Sequence, residues 1–317
     1  MSFVGGGSDL PAFYREHGGA VVSSAIDKYV YVTVNPKFDQ RIRISYSKTE
    51  DVKAVDRIRH PLVRESLRKL EISGGLEITS IADIPSRGTG LGSSSSFTVG
   101  LLHALHAYRG EYRSAEQLAK ESCEIELDRC HEPIGRQDQY AAAFGGLNFI
   151  QFHPDDSVTV EPILCQRETW RALQASILVF YTGITRSASA ILREKQKAIA
   201  MEKAKQAVLR RMVALARRLR VELQSNNLGA FGELLHENWM LKKSLSPMIS
   251  NTRIDDWYQT ARKHGASGGK LLGAGSGGFL MFCAPPERHE AITRALARLR
   301  RIGMGFEPSG SRIIFVH

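Results

Sequence analysis

An α+β fold in two domains is the architecture this sequence predicts, on three observations. Segments with period-two apolar patterning dominate the first 85 residues, and segments with helical apolar spacing dominate much of the rest. The two kinds mix without the regular strand–helix–strand rhythm of a parallel α/β sheet. The chain has 317 residues, 43% of them hydrophobic, enough for two cores. The expected boundary lies near residue 165, giving domains 1–165 and 166–317.

The elements follow in order. The run 20-AVVSSAIDKYVYVTVNPKF-38 is rich in β-branched and aromatic residues and reads as one long strand or a strand pair, and 41-RIRISYS-47 alternates as the next. Residues 60–71 read as a helix and 75-GLEITSIAD-83 as a strand. The segment 97-FTVGLLHALHAYRG-110 has the spacing of a buried helix that Gly110 ends. Ser114, with Gln117 three positions later, predicts a capping box and a helix running to about Cys130. After 145-GGLNFIQF-152 a polar linker is expected through about residue 166. The second half reads as a strand over 176–182, long helices, and a glycine-rich turn with strand over 268–283.

Composition narrows the function. Cys123, Cys130, Cys165 and Cys283 form no CxxC pair and read as reduced thiols. No apolar run approaches the roughly 20 residues of a membrane span, and the N-terminus lacks the charged-then-apolar order of a signal peptide, so a cytoplasmic location is expected. The net charge of +10 suits an anionic partner. In 210-RRMVALARRLR-220, however, Leu209, Val213, Ala216, Leu219 and Leu223 fall on one helical stripe, which leaves the arginines on a wet face. No aromatic residues interleave with that charge as nucleic-acid stacking platforms would, whereas the same field would draw in a small anion.

Chemistry concentrates in 85-PSRGTGLGSSSS-96, which stands between a strand and a helix. Glycines let successive backbone N–H groups turn inward, and the following helix start adds further donors and the positive end of its dipole, so the loop can cradle a polyphosphate. A flexible turn is the plain rival. The loop is neither a Walker sequence nor a dinucleotide fingerprint.

Two more glycine clusters, 3-FVGGGSDLP-11 and 269-GKLLGAGSGGF-279, flank it in the chain. In order and spacing the three resemble the motifs of the GHMP small-molecule kinases. Within that superfamily the strongest resemblance is to the D-glycero-D-manno-heptose 7-phosphate kinases, along 3-FVGGGSDLPAFYREHGGAVVSSAIDKYVYVTV-34, 121-ESCEIELDRCHEPIGRQDQYAAAFGG-146 and the loop itself. The resemblance implies an N-terminal domain of ribosomal-S5-like type, a ferredoxin-like C-terminal domain, and ATP and Mg²⁺ as cofactors. It assigns Pro85, Gly88, Gly90, Leu91, Gly92, Ser93, Ser94, Ser95 and Ser96 to the ATP phosphates, and Ser94 with Glu126 to Mg²⁺. Glu124 and Asp128 compete with Glu126 on sequence alone, and an acid on a wet helix face is the alternative.

The resemblance makes Asp138 the group that faces the acceptor hydroxyl as general base or orienting residue, with helix capping as its rival. Gly6, Gly7, Ser8, Asp9, Gly275, Ser276 and Gly277 would line the substrate side, Asp9 capping a helix ahead of Pro11 in the alternative. Lys28, Arg87, Arg136 and Arg186 are candidates for an acceptor phosphate. Lys270 reads as solvated, with lending charge to the turn as its other role, and His103 and His106 read as packing residues. Relatives continue upstream with a strand reading like APLRISFVGGG, so Met1 stands where the family has an arginine. The implied activity is phosphorylation of the anomeric hydroxyl of D-glycero-α-D-manno-heptose 7-phosphate, for a nucleotide-activated heptose and a surface glycan. A free-sugar kinase acting on L-fucose or another hexose, and a non-catalytic sugar and ATP sensor, are the alternatives. The implied partner is a small sugar phosphate, with no nucleic acid and no membrane, and a homodimer is compatible with the reading.

Overall fold

A computed structural model describes residues 1–84, 90–184 and 202–316. The chain opens with β1 (Ser2–Val4) and α1 (Pro11–His17), where Pro11 sits at a helix start that needs no N–H from it. The long β-branched run is a pair of strands, β2 (Gly19–Ser24) and β3 (Val30–Pro36). Then come β4 (Ile42–Ser45), β5 (Thr49–Val52), α2 (Pro61–Lys69) and β6 (Leu76–Ala82). α3 (Ser93–Tyr108) follows the serine-glycine loop. Ser114 caps α4 (Ala115–Cys123) through reciprocal bonds with Gln117, and the helix widens into a π-turn over Glu124–Arg129. α5 (Gln137–Phe144) and β7 (Leu147–Phe152) complete this stretch.

The segment expected to be a polar linker contains a strand, β8 (Val158–Pro162), paired in register with β7 from Phe152↔Val158 to Asn148↔Pro162. Only Val158 and Val160 alternate apolar in it, which is too short a pattern to separate a strand from a loop. α6 (Arg167–Ala175) and β9 (Ile177–Tyr181) follow. Beyond residue 201 come α7 (Lys203–Gln224), α8 (Phe231–Ser244), α9 (Thr252–Lys263), β10 (Gly268–Leu271), β11 (Phe279–Cys283), α10 (His289–Ala295) and β12 (Arg300–Ile302).

These elements sort into two compact units that differ from a linear division at residue 165. One comprises Met1–Asp27, Arg87–Leu91 and Gly146–Pro308, the other Lys28–Ser86, Gly92–Gly145 and Ser309–His317. The reason is packing. Phe3, Val4, Ala20, Val22, Leu147 and Phe149, from the first half of the chain, share one apolar core with Leu209, Leu219, Trp239 and Phe282 from the second.

In the larger unit, β1-β2-β7-β8 form an antiparallel sheet, and β10-β11-β9-β12 form a second. The latter has the strand order and βαββαβ progression of a ferredoxin-like domain. α7 buries Leu209, Val213, Ala216, Leu219 and Leu223, the stripe expected from spacing, along with Met212 and Leu215, while Arg210, Arg211, Arg217 and Arg218 are exposed. In the smaller unit the sheet order is β3-β6-β4-β5, with one parallel pair, β4/β6, and α3 packs across β3. Among the described residues no helix is long and apolar enough to cross a membrane.

The two faces of α7 make a direct test. Leu219→Ala is expected to lower unfolding free energy by about 2–5 kcal/mol through the cavity it leaves. Arg218→Ala, on the wet face, should stay within about 0.5 kcal/mol. Equilibrium urea unfolding of the pair checks both values.

Candidate functional site

In the smaller unit the site grows from the start of α3. Its N-cap is Gly92, in the left-handed region at φ 72°, and no side chain caps the helix. A Cβ at Gly92 would lie 3.3 Å from the Asp138 carboxyl carbon in addition to the strained φ, so only glycine brings this backbone against that carboxylate. A 16-residue helix opening without a side-chain cap presents its dipole's positive end here. Ser93, Ser94, Ser95 and Ser96 form the first turn, with Ser94 exposed and Ser95 buried.

Glu126 meets this turn from below. Ser94 Oγ and Thr98 Oγ1 donate to its Oε1 at 2.8 and 3.2 Å; Ser95 Oγ donates to Oε2 at 2.8 Å, and Gln139 Nε2 donates to the same oxygen. The π-turn places this residue. An extra residue in the helical turn changes which side chains face inward, and Glu126 is fully buried while Asp128 is exposed. Glu124 is held instead by Lys69 and Arg129. Geometry thus separates three acids that the sequence left in competition, and the wet-face alternative for Glu126 is overturned by its burial.

Burial pushes the Glu126 carboxyl above the usual range, and the Ser95, Ser94, Gln139 and Thr98 donors pull it back only in part. The buried carboxylate is hydrogen-bonded to an exposed serine hydroxyl, which brings two hard oxygens together. That set fits Mg²⁺, which takes one or two carboxylates from a protein and fills its remaining positions with phosphate oxygens and water.

Asp138 is exposed in the first turn of α5, directly before buried Gln139. Arg136 precedes that turn. His106 lies between Glu111 and Glu121, its ring nitrogens 2.9 and 2.7 Å from their carboxylates, and His103 meets Ser311. Pro85, Arg87, Gly88 and Arg186 lie outside the described residues.

In the larger unit the first glycine cluster is a buried turn. Asp9 Oδ1 accepts from Gly7 N at 2.8 Å, with Gly6 buried beside them. Leu10, rather than Asp9, is the N-cap residue of α1. The Ser8 hydroxyl donates to the carbonyls of Gly5 and Ala20, so its hydrogen is already engaged within the fold. The third cluster approaches the serine-glycine loop backbone to backbone: a Cβ on Gly273 would lie 2.3 Å from Gly90 Cα, and one on Gly90 2.7 Å from the Leu272 carbonyl. Leu91 packs against the same unit's core. Gly275 lies against the Ile249 backbone and Gly277 against the Ile184 carbonyl. Ser276, a non-glycine residue at φ 61°, donates its hydroxyl to the Met248 carbonyl and its N–H to Ile249 O.

Lys270 corrects the solvated reading. It is 2% exposed, and its ammonium donates to the carbonyls of Ser2 and Phe3 at 2.7 and 2.9 Å. Two further buried residues escaped sequence reasoning. Asn238, on α8, accepts from Gly5 N at 3.1 Å, and Lys242, one turn later, donates to Gly273 O. Their partners are 233 and 31 residues away along the chain, so no local pattern marks them.

A carboxyl whose folded pKa is raised destabilises the fold once pH exceeds its unfolded value of about 4.3. Wild-type stability relative to Glu126→Gln should therefore fall as pH rises from 5 toward the elevated folded value. Urea unfolding of both proteins at pH 5 and 8 should show the variant's relative advantage growing with pH.

The chain matches known proteins along most of its length. Models of the GHMP kinases N-terminal domain and the GHMP kinases C-terminal domain match residues 54–146 and 219–310. The D-glycero-alpha-D-manno-heptose 7-phosphate kinase of Campylobacter jejuni subsp. jejuni serotype O:2 is 30% identical over 94% of this chain and 91% of its own. The bifunctional fucokinase/GDP-fucose pyrophosphorylase of Arabidopsis thaliana is 26% identical over 90% of this chain and 29% of its own. A solved D-glycero-D-manno-heptose 1-phosphate kinase from Bacteroides thetaiotaomicron superposes with a TM-score of 0.79 at 25% identity, covering 98% of this chain and 94% of its own. With both family domains matched and a relative aligned along nearly the whole length, the chain belongs to the GHMP kinases.

Proposed function

We propose that this protein is an ATP- and Mg²⁺-dependent sugar kinase that phosphorylates the anomeric hydroxyl of D-glycero-α-D-manno-heptose 7-phosphate, giving the 1,7-bisphosphate and ADP. The product would feed a nucleotide-activated heptose for a surface glycan. The observation that carries the reading is the seating of the Asp138 carboxylate against Gly92 at the uncapped start of α3, with Glu126 beneath the adjoining serines. Phosphoryl transfer asks a protein mainly for positioning and charge neutralisation, and those groups supply both.

In this reading the loop amides and the Ser93–Ser96 turn hold the nucleotide's phosphates, with Pro85 and Gly88 assigned to the same loop. Ser94 and Glu126 would hold Mg²⁺, which would supply charge neutralisation at the phosphates. Asp138 accepts a hydrogen bond from the acceptor hydroxyl and orients its oxygen. An anomeric hydroxyl is more acidic than most alcohols, so a carboxylate within hydrogen-bond reach suffices to receive its proton as the new O–P bond forms. Asp9, Gly6, Gly7, Ser8, Gly275, Ser276 and Gly277 serve the acceptor side. Because the Ser8 and Ser276 hydroxyls donate within the fold, those two residues shape backbone rather than offer hydrogens.

The relative named as a 7-phosphate kinase, aligned over most of both chains, supports a phosphorylated acceptor. The fucokinase relative supports a second reading, a free-sugar kinase acting on L-fucose or another hexose.

ADP release over a panel of sugars and sugar phosphates decides between them. Heptose 7-phosphate is expected to exceed free fucose in kcat/KM, and Asp138→Ala to lower turnover by about 10²–10⁴-fold. Release highest with a free sugar would establish the second reading. Tight ATP binding without release for any acceptor would replace both with a non-catalytic sensor.

A further inference from the structure

We propose that Lys242 is a positioning residue for the phosphate loop, acting through the third glycine turn; the inference rests on the kinase reading above. Lys242 lies on α8 and is 6% exposed. Its ammonium donates to Gly273 O at 2.5 Å and reaches toward Leu271 O at 3.4 Å. Gly273 is the residue whose backbone touches Gly90 at a distance no Cβ allows. One buried charge therefore grips the strand end on which Gly90 rests.

The turn it holds is otherwise unfavourable. Gly273, Gly275, Ser276 and Gly278 all have positive φ, and Ser276 has a side chain to strain. Carbonyls in such a turn point away from any regular ladder and require donors. Ser276 secures the far end to Met248 and Ile249, in the loop that follows α8. Lys242 secures the near end, where the phosphate loop makes contact. A lysine suits this place because its three N–H groups radiate from one point, so a single ammonium can serve two carbonyls of a turn. Without it the backbone at Gly273 would be free to shift, and Gly90, which has no side chain to anchor it, would shift too.

Lys242→Met keeps length and apolar stem but removes every donor, and Lys242→Arg restores donors. The proposal expects Lys242→Met to raise the KM for ATP and the Kd for ADP at least tenfold, with the acceptor KM within twofold of wild type. It also expects faster amide hydrogen exchange around Gly90 and Gly273 in the nucleotide-free protein, and recovery of ADP affinity to within threefold in Lys242→Arg. A merely structural lysine would lower the melting temperature and leave nucleotide affinity per folded molecule unchanged, which overturns the proposal. So does exchange at Gly90 equal to wild type. If Lys242→Met does not fold, Lys242→Gln, with one donor group, is measured by the same exchange and ADP titrations under the same criteria. Wild type that binds ADP but releases none from ATP with any acceptor would defeat the kinase reading, while the exchange and ADP comparisons would still decide the role of Lys242.

Discussion

The buried carboxylate of Glu126 is the constraint around which the smaller unit's site is built. It joins three elements that are distant in sequence: the first turn of α3 through Ser94, Ser95 and Thr98, the π-turn that carries it, and α5 through Gln139. A desolvated charge costs several kcal/mol unless its lone pairs are satisfied, and here four donors from the other two elements satisfy them. The same bonds that lower this cost set the geometry. Moving the start of α3 by an ångström would strip donors from a fully buried anion, so the serine turn, the acid and the segment bearing Asp138 form one arrangement.

Glycine supplies the second requirement, close approach. At Gly92 a carboxylate comes against the helix start, and at Gly90 and Gly273 two backbones meet where any side chain would intrude. Neither contact has much apolar area, so hydrophobic burial cannot hold it. Directional bonds must do so instead: Glu126 in the smaller unit, and Lys242, Lys270 and Asn238 in the larger, each donating to or accepting from a glycine turn or its neighbouring strand.

What the sequence revealed and what it concealed divide along the same physical line. The stripe of α7 and the capping box at Ser114 were legible because each is a rule about residues three or four positions apart. The three glycine clusters were legible as bare backbone. β8 was not, since two alternating valines among polar residues carry little periodicity and the strand exists because β7 offers it a partner. The choice of Glu126 over Glu124 and Asp128 needed the π-turn, which has no compositional mark. Lys270 looked like a solvated lysine because its acceptors, the carbonyls of Ser2 and Phe3, lie at the other end of the chain. The order of elements along the chain suggests a linear boundary, whereas the larger unit draws its core from both halves.

Several locally costly groups gather at the candidate site. A protein under selection for stability alone would place no fully buried glutamate under a helix start, no serine in the left-handed region, and no lysines beneath a glycine turn. Here all of these occur, and they fall within or directly against the three glycine clusters and the GRQDQY segment. Left-handed non-glycine residues also occur elsewhere, at Glu71, His131, Asp156 and Asn226, whereas α7 buries its leucines and wets its arginines, and α4 is capped on both sides of its first turn. In the kinase reading proposed above, these convergent bonds would keep a shape ready for a charged ligand, at a cost borne in the folded protein before any ligand arrives.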